Sequence, residues 1–259
     1  MKGTLMIPKI IHYCWFGDNP IPNELLKCID SWKIHCPDFE IMQWNEHNFD
    51  VNYNTFTQQA FKYKKWAFIS DVARLVALAE YGGIYLDTDM ELIKPFGKLL
   101  ELEAFISFGL GYLSAGTIAA KKGHPLFIEF LKTYDTLKLV SRNNKMLLIP
   151  NNKLLTRFMV SRGLSQNNHY QVIDSVTIFP EDFLCPIKLP DGTFEVTKNT
   201  FAIHHGGGSW QFFATPRMRN FKTFLYTFLP KSIAKKIYNA YFLYRKEGIS
   251  EVIHKIKHR

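Results

Sequence analysis

Asp87 and Asp89 stand one residue apart in "YGGIYLDTDMELIKPF", Tyr81 to Phe96, at the end of an apolar run. Burying one carboxylate is costly, and two together need a cation or a solvent-filled cleft. Alternate residues of a strand face one side, so Asp87 and Asp89 are expected to converge, with Tyr85 beside them and Thr88 turned away. Converging carboxylates suit a hard divalent cation, Mn²⁺ or Mg²⁺, which would in turn neutralise a diphosphate. A solvated turn after a buried strand is the plainer alternative. A second cluster is "IHHGGGSW", Ile203 to Trp210. One imidazole there can complete the coordination of an ion held by Asp89; His205 is taken as that ligand, with His204 the alternative. Three glycines let the backbone approach phosphate closely, and Ser209 and Trp210 could close over it. The competing account is a Gly turn with solvated histidines. Asp71 and Arg74 lie three apart on one helix face. A surface ion pair at that spacing is worth only about a few tenths of a kcal/mol. Their place just before the Asp strand leans them over the same cleft.

These side chains must be positioned by the elements around them. "IPKIIHYCWFG" has the character of a buried strand ending in a Gly-Asp-Asn-Pro turn, and "FEIMQWN" is a second strand. Between them "PNELLKCIDSWKIHC" has helical spacing at Leu25, Leu26, Ile29 and Trp32, so the order is βαβ and the class α/β. "KKWAFISDVARLVALAEYGG" is the clearest helix. Ser70 is expected to cap it, Asp71 to sit in its first turn and Gly82 to end it. "GIYLDTD" follows as a strand whose C-terminal end carries the two aspartates, where open α/β sheets bind ligands. "EAFISFGL", "GTIAAKK", "QVIDSVTIF" and "TFAIHH" are further strands, and "HPLFIEFLKTYDTLKL" is a helix.

The chain has 259 residues, 47% apolar and 21% charged, enough for a sizeable core in one large domain with an appendage. Its net charge of +9 is concentrated at one end. Residues 217–259 hold eleven Lys/Arg and two Glu, so 1–216 is neutral. We therefore divide the chain into a neutral main domain, 1–216, which carries the candidate site residues, and a basic amphipathic helical segment, 217–259. Aromatic residues interleave with the lysines of that segment, from Phe221 to Tyr244. Such a segment suits an anionic membrane surface, and no nucleic-acid module is visible. Cys14, Cys28, Cys36 and Cys185 show no C-x-x-C pair, as expected of reduced thiols in a reducing compartment. The N-terminal apolar stretch is short and interrupted by Pro8, Lys9 and His12, unlike a secretion signal or a span. Together these features point to a cytoplasmic protein, peripheral on the membrane if the basic segment binds it.

The stretch "FISDVARLVALAEYGGIYLDTDMEL" resembles the donor-binding region of glycosyltransferase family 32, the capsular polysaccharide and mannosyltransferase-like group that carries a DXD motif. More distantly it is similar to the glucosyltransferase domains of large clostridial toxins. The family's other blocks are matched at Ile7–Gly17, Ile29–Asp38 and Trp44–Glu46. Weaker blocks follow at Gly123–Pro125, Pro150–Thr156 and His204–Trp210. The resemblance implies a GT-A-type nucleotide-diphospho-sugar transferase fold, a mixed and mostly parallel sheet flanked by helices, with a divalent cation. It also implies that Trp15 stacks on the base, with Phe16 and Ser70 beside the nucleotide sugar. Asp71 would then bond ribose or sugar hydroxyls, Arg74 the sugar or diphosphate, and Tyr85 the phosphates or base. Asp87 would be shared between sugar nucleotide and metal, and Asp89 would be the direct ligand.

The expected activity is transfer of a hexose from a nucleotide-diphospho-sugar, a UDP-sugar being favoured, to a glycan or lipid-linked glycan in surface polysaccharide synthesis. The resemblance implies retention of the anomeric configuration. Since the charge that builds up sits on the departing diphosphate, the cation and Arg74 carry the main catalytic effect. Two rivals differ in kind. Phosphatases with an aspartyl nucleophile also place two acids at a strand end, but their motif continues to Thr or Val where this chain has Glu91. A non-enzymatic membrane adaptor would use the basic segment alone.

Overall fold

The computed structural model describes residues 6–141, 143, 146–189 and 193–206, with 225, 229 and 237 beyond them. Residues 1–207 and 208–259 form two separate compact units. Ser209, Trp210 and nearly all of the basic segment expected at 217–259 lie outside the described residues.

The first unit opens with the expected βαβ order: β1 (Ile10–Cys14), α1 (Asn23–His35) and β2 (Glu40–Trp44). Then come α2 (Thr55–Lys62), α3 (Trp66–Glu80), β3 (Gly83–Leu86) and β4 (Met90–Leu92). A hairpin of β5 (Ala104–Gly109) and β6 (Tyr112–Ala120) leads to α4 (Pro125–Thr136) and α5 (Asn151–Val160). β7 (Gln171–Ile173), β8 (Val176–Phe179) and β9 (Ala202–His204) complete it. The main sheet has the order β2-β1-β3-β6-β5-β8-β7. The pairings make β2, β1, β3, β5 and β8 run one way and β6 and β7 the other. It is thus a mixed, mostly parallel sheet, as expected of the GT-A class. Every residue of β3 and β5 is buried, as in strands covered on both faces.

The two faces have separate cores. Tyr85 packs with α3, α4 and α5 residues on one side, among them Val72, Leu75, Phe130 and Leu155. Its neighbours Ile84 and Leu86 pack with Ile29 and Trp32 of α1 on the other. In α1 the buried stripe is Cys28, Ile29 and Trp32, whereas Leu26, expected in it, is exposed. Trp32 also donates its indole N–H to Met90 O at 2.7 Å, tying α1 to β4.

α3 corrects one expectation. It begins at Trp66, four residues before Ser70, and Ser70 Oγ donates back to Trp66 O rather than capping the helix. Trp66, Phe68 and Ile69 extend the apolar surface of α3, so tertiary burial carries the helix past the polar "SD" that looked like its start. Asp71 therefore sits in the second turn, buried, and not at a helix terminus. The far end is as expected: Gly82 follows the Tyr81 cap at φ +69°, with its N–H donating to Leu78 O. A Cβ there would come within 2.4 Å of Lys122 N, so only glycine fits.

His12, in the middle of β1, is fully buried and structural. One ring nitrogen lies 2.8 Å from Gly82 O, and the other accepts from Trp44 Nε1 at 3.1 Å. Both contacts are satisfied by the neutral ring with its proton on Nε2. Burial, partly offset by the bond to Gly82, holds His12 below its usual 6.5. A base with a depressed folded pKa contributes stability that is full above the unfolded value and lost as pH falls through the folded one. His12→Leu should leave the Trp44 N–H and the Gly82 carbonyl without partners and cost about 2–4 kcal/mol in denaturant unfolding. The variant should also lose stability less steeply than wild type as pH drops below 6.5; parallel pH profiles would refute this assignment.

Candidate active site

Arg74 is the best-connected side chain of the site. It is 5% exposed, on the face of α3 that meets β3. Its Nε donates to Ser70 O at 3.1 Å and its Nη1 to Ala115 O at 2.5 Å. Nη2 lies 3.0 Å from Asp71 Oδ1, and Nη1 lies 3.4 Å from Asp87 Oδ1. The guanidinium carbon sits 4.4 Å from the centre of the Tyr85 ring. Tyr85 Oη donates to the same Asp87 oxygen at 2.8 Å. Burial would lower the pKa of Arg74, but Tyr85, Asp87 and Asp71 more than offset it and the group is held charged. Burial pushes Asp71 up to about 6, against the pull of Arg74 and of a hydrogen bond from Asn151. It also raises the Tyr85 phenol well above its usual range, so Tyr85 is a neutral donor.

Asp87 and Asp89 converge by a route the sequence did not suggest. β3 ends at Leu86, and both aspartates lie in the tight turn that joins it to β4. The turn closes through Met90 N–H to Asp87 O at 2.9 Å, and Asp87 N–H donates to Gly116 O at 2.8 Å. Turn geometry, not strand alternation, brings the carboxylates together. β4 then pairs antiparallel with β9, setting His204 opposite Met90. His204 Nε2 lies 3.2 Å from Asp89 Oδ1, and its Nδ1 lies 3.9 Å from Cys185 Sγ. Asp87, Asp89 and His204 each offer a ligand atom within 4.8 Å of the others.

This corrects the expectation for the imidazole. His205 faces the other way, 2.7 Å from Glu91 Oε2, while its backbone N–H donates to Asp89 O. Successive residues of a strand point to opposite sides, and the β4–β9 register puts His204 on the side of the aspartates. Phe16 is a second correction: it is 5% exposed and packs edge-on to Phe49, so its ring is committed to the core. Trp15 is only partly buried, with its indole N–H bonded to Asn19 O. Gly17, just after it at φ +97°, is required by close approach: a Cβ there would meet Trp66 at 2.6 Å. Ser70 takes part through its carbonyl, which accepts from Arg74.

Asn151 is a residue that sequence reasoning missed. It opens α5, is 6% exposed, and donates Nδ2–H to Asp71 Oδ1 at 3.1 Å. Its position after Pro150, at a helix start, was the available signal. Gly116 of β6 is another. A Cβ there would stand 3.2 Å from both Asp87 Oδ2 and His204 Cε1, so the glycine keeps open the space between them.

Two hard carboxylates and an imidazole suit Mn²⁺ or Mg²⁺, and at Gly116 no side chain crowds the Asp87 carboxylate or the His204 ring. Burial alone would lower the pKa of His204, but its bond to Asp89 raises it, so a bound cation would have to displace a proton.

Residues 22–106 match the glycosyltransferase sugar-binding region containing the DXD motif. An uncharacterized glycosyltransferase of Acanthamoeba polyphaga mimivirus is 30% identical over 209 residues, covering 72% of this chain and 80% of the viral one. The chain belongs to the DXD-motif glycosyltransferase family. Inositol phosphoceramide mannosyltransferase 3 of Schizosaccharomyces pombe is 31% identical over 135 residues, 49% of this chain. The match spans only 36% of the length of that yeast enzyme. Among solved structures the PaToxG glycosyltransferase aligns with a TM-score of 0.46 and 19% identity, over 60% of this chain and 68% of its own. Within this family member, the matched region contains α3 and the Asp87–Asp89 turn but ends before Gly116, Asn151 and His204.

Gly116→Ala tests the clearance directly. The substitution should leave the fold intact and weaken Mn²⁺ binding by about tenfold or more, because the added methyl crowds a carboxylate and the imidazole. Mn²⁺ titration followed by electron paramagnetic resonance checks it; unchanged affinity would place the ion elsewhere.

Proposed function

We propose that this glycosyltransferase moves a hexose from a nucleotide-diphospho-sugar to a glycan or lipid-linked glycan acceptor, with Mn²⁺ or Mg²⁺ held by Asp87, Asp89 and His204. The observation that carries this reading is the Asp87–Asp89–His204 cluster set directly against the buried Asp71–Arg74 pair. When bound, the cation supplies Lewis-acid neutralisation of the diphosphate. The chain's own groups do the rest. Arg74 is a fixed positive charge beside the place where the leaving group becomes more negative, and it needs no reorganisation as the bond breaks. Asp71, anchored through Oδ1 by Arg74 and Asn151, orients sugar hydroxyls through its other oxygen. Trp15 offers an aromatic face one residue beyond the end of β1, and β1 runs parallel to β3, so the base and the diphosphate lie over neighbouring strand ends.

The relatives named as mannosyltransferases bring GDP-mannose forward as a donor beside the UDP-hexoses. Retention of configuration, with the departing phosphate accepting the acceptor's proton, is the stereochemistry we assign. No helix among the described residues is long and apolar enough to cross a membrane.

Thermal unfolding with a panel of UDP-hexoses and GDP-mannose tests this reading. One donor at about a hundredfold excess over its Kd should raise Tm by roughly 5–10 °C with Mn²⁺ present, and Asp89→Asn should abolish the rise. No metal-dependent rise with any donor would refute the proposal. A product anomer inverted relative to the donor, seen by NMR, would overturn the stereochemistry alone.

A further inference from the structure

β6 and α5 both run outward from the site just described. On β6, Ala115 and Gly116 contact Arg74 and Asp87, and Tyr112 lies four residues upstream, about 13 Å along the strand. On α5, Asn151 touches Asp71, and Lys153 and Arg157 follow within about 3–9 Å along the axis. Between these outer portions is a recess of about 320 Å³ lined by Tyr112, Lys153, Thr156, Arg157, Val160 and Gln166. Its walls are fixed. Leu113 N–H donates to the buried Thr156 hydroxyl, and Gln166 Nε2 donates to Gly111 O.

The charged residues that line the recess, among those described, are both cations. Lys153 and Arg157 are four apart on one helix face, a like-charged spacing that disfavours a helix. Among the described residues neither has an ion-pair partner, and Lys153 leans over the Tyr112 ring at 5.7 Å. Resting on the glycosyl-transfer reading above, we propose that this recess is an acceptor subsite for an acidic group, phosphate or carboxylate, with Lys153 and Arg157 as its cations. Two cations that have no ion-pair partner among the described residues would attract such a group and set the acceptor's orientation.

The test uses the full chain with Mn²⁺ and saturating UDP or GDP, titrated by calorimetry with glucose 6-phosphate, glucuronate and glucose, and repeated without nucleotide. At least one of the two acidic sugars should bind about tenfold or more tighter than glucose, the size of one charge-assisted hydrogen bond. Which of them does so separates phosphate from carboxylate. The exposed double variant Lys153→Gln with Arg157→Gln should erase the preference while leaving the affinity for nucleoside diphosphate and the Tm in place. Equal binding of acidic and neutral sugars, or a preference that survives in the variant, overturns the subsite. Failure of UDP and GDP to bind overturns the donor assignment instead, and the titration without nucleotide still decides the subsite.

Discussion

A guanidinium buried between carboxylates is tolerated only when its N–H groups find acceptors and the charges are matched, since each ion loses several kcal/mol of hydration. Arg74 meets that condition with groups from four places in the chain: Ser70 and Asp71 on its own helix, Asp87 in the turn after β3, the ring of Tyr85, and the carbonyl of Ala115 on β6. Moving any of these elements would strand a charge in the interior. Arg74 thus holds α3, β3 and β6 in one mutual arrangement, and that arrangement sets out the site.

Two features of the sheet follow from the same constraint. β6 enters antiparallel beside β3, bringing the Ala115 carbonyl to Arg74 and the side-chain-free Gly116 to Asp87. The small β4–β9 sheet then returns the chain more than a hundred residues later, so that His204 faces Asp89. The cluster is therefore assembled from a turn and a distant strand, with a glycine keeping the space between them clear.

Much of this was legible in the residues. The βαβ start, the helix before the aspartates, its glycine stop and the Asp pair all follow from short-range patterns: apolar periodicity, turn residues and two acids at fixed spacing. What misled was also local. "SD" has the form of a helix start, yet α3 begins at Trp66 because its flanking aromatic residues are buried against other elements. Asp-x-Asp suggested a strand end, yet the strand stops at Leu86 and a turn does the converging. Phe16 looked available beside Trp15, but Phe49 covers it.

The sequence by itself determined the family, the chemical types at the site and the uneven placement of charge, because these are properties of ordered blocks and of composition. Tertiary structure decided which of two adjacent histidines meets the aspartates. Nothing in "HH" distinguishes them; the register of β9 on β4 does, since a shift of one residue reverses every side chain. It also decided that Asn151 braces Asp71 and that Gly116 must lack a side chain. Both depend on distances between segments that no local pattern encodes. Residue type sets what chemistry Asp87 and Asp89 can do, while the turn after β3, with Asp87 against Arg74 and Asp89 against His204, sets where they do it.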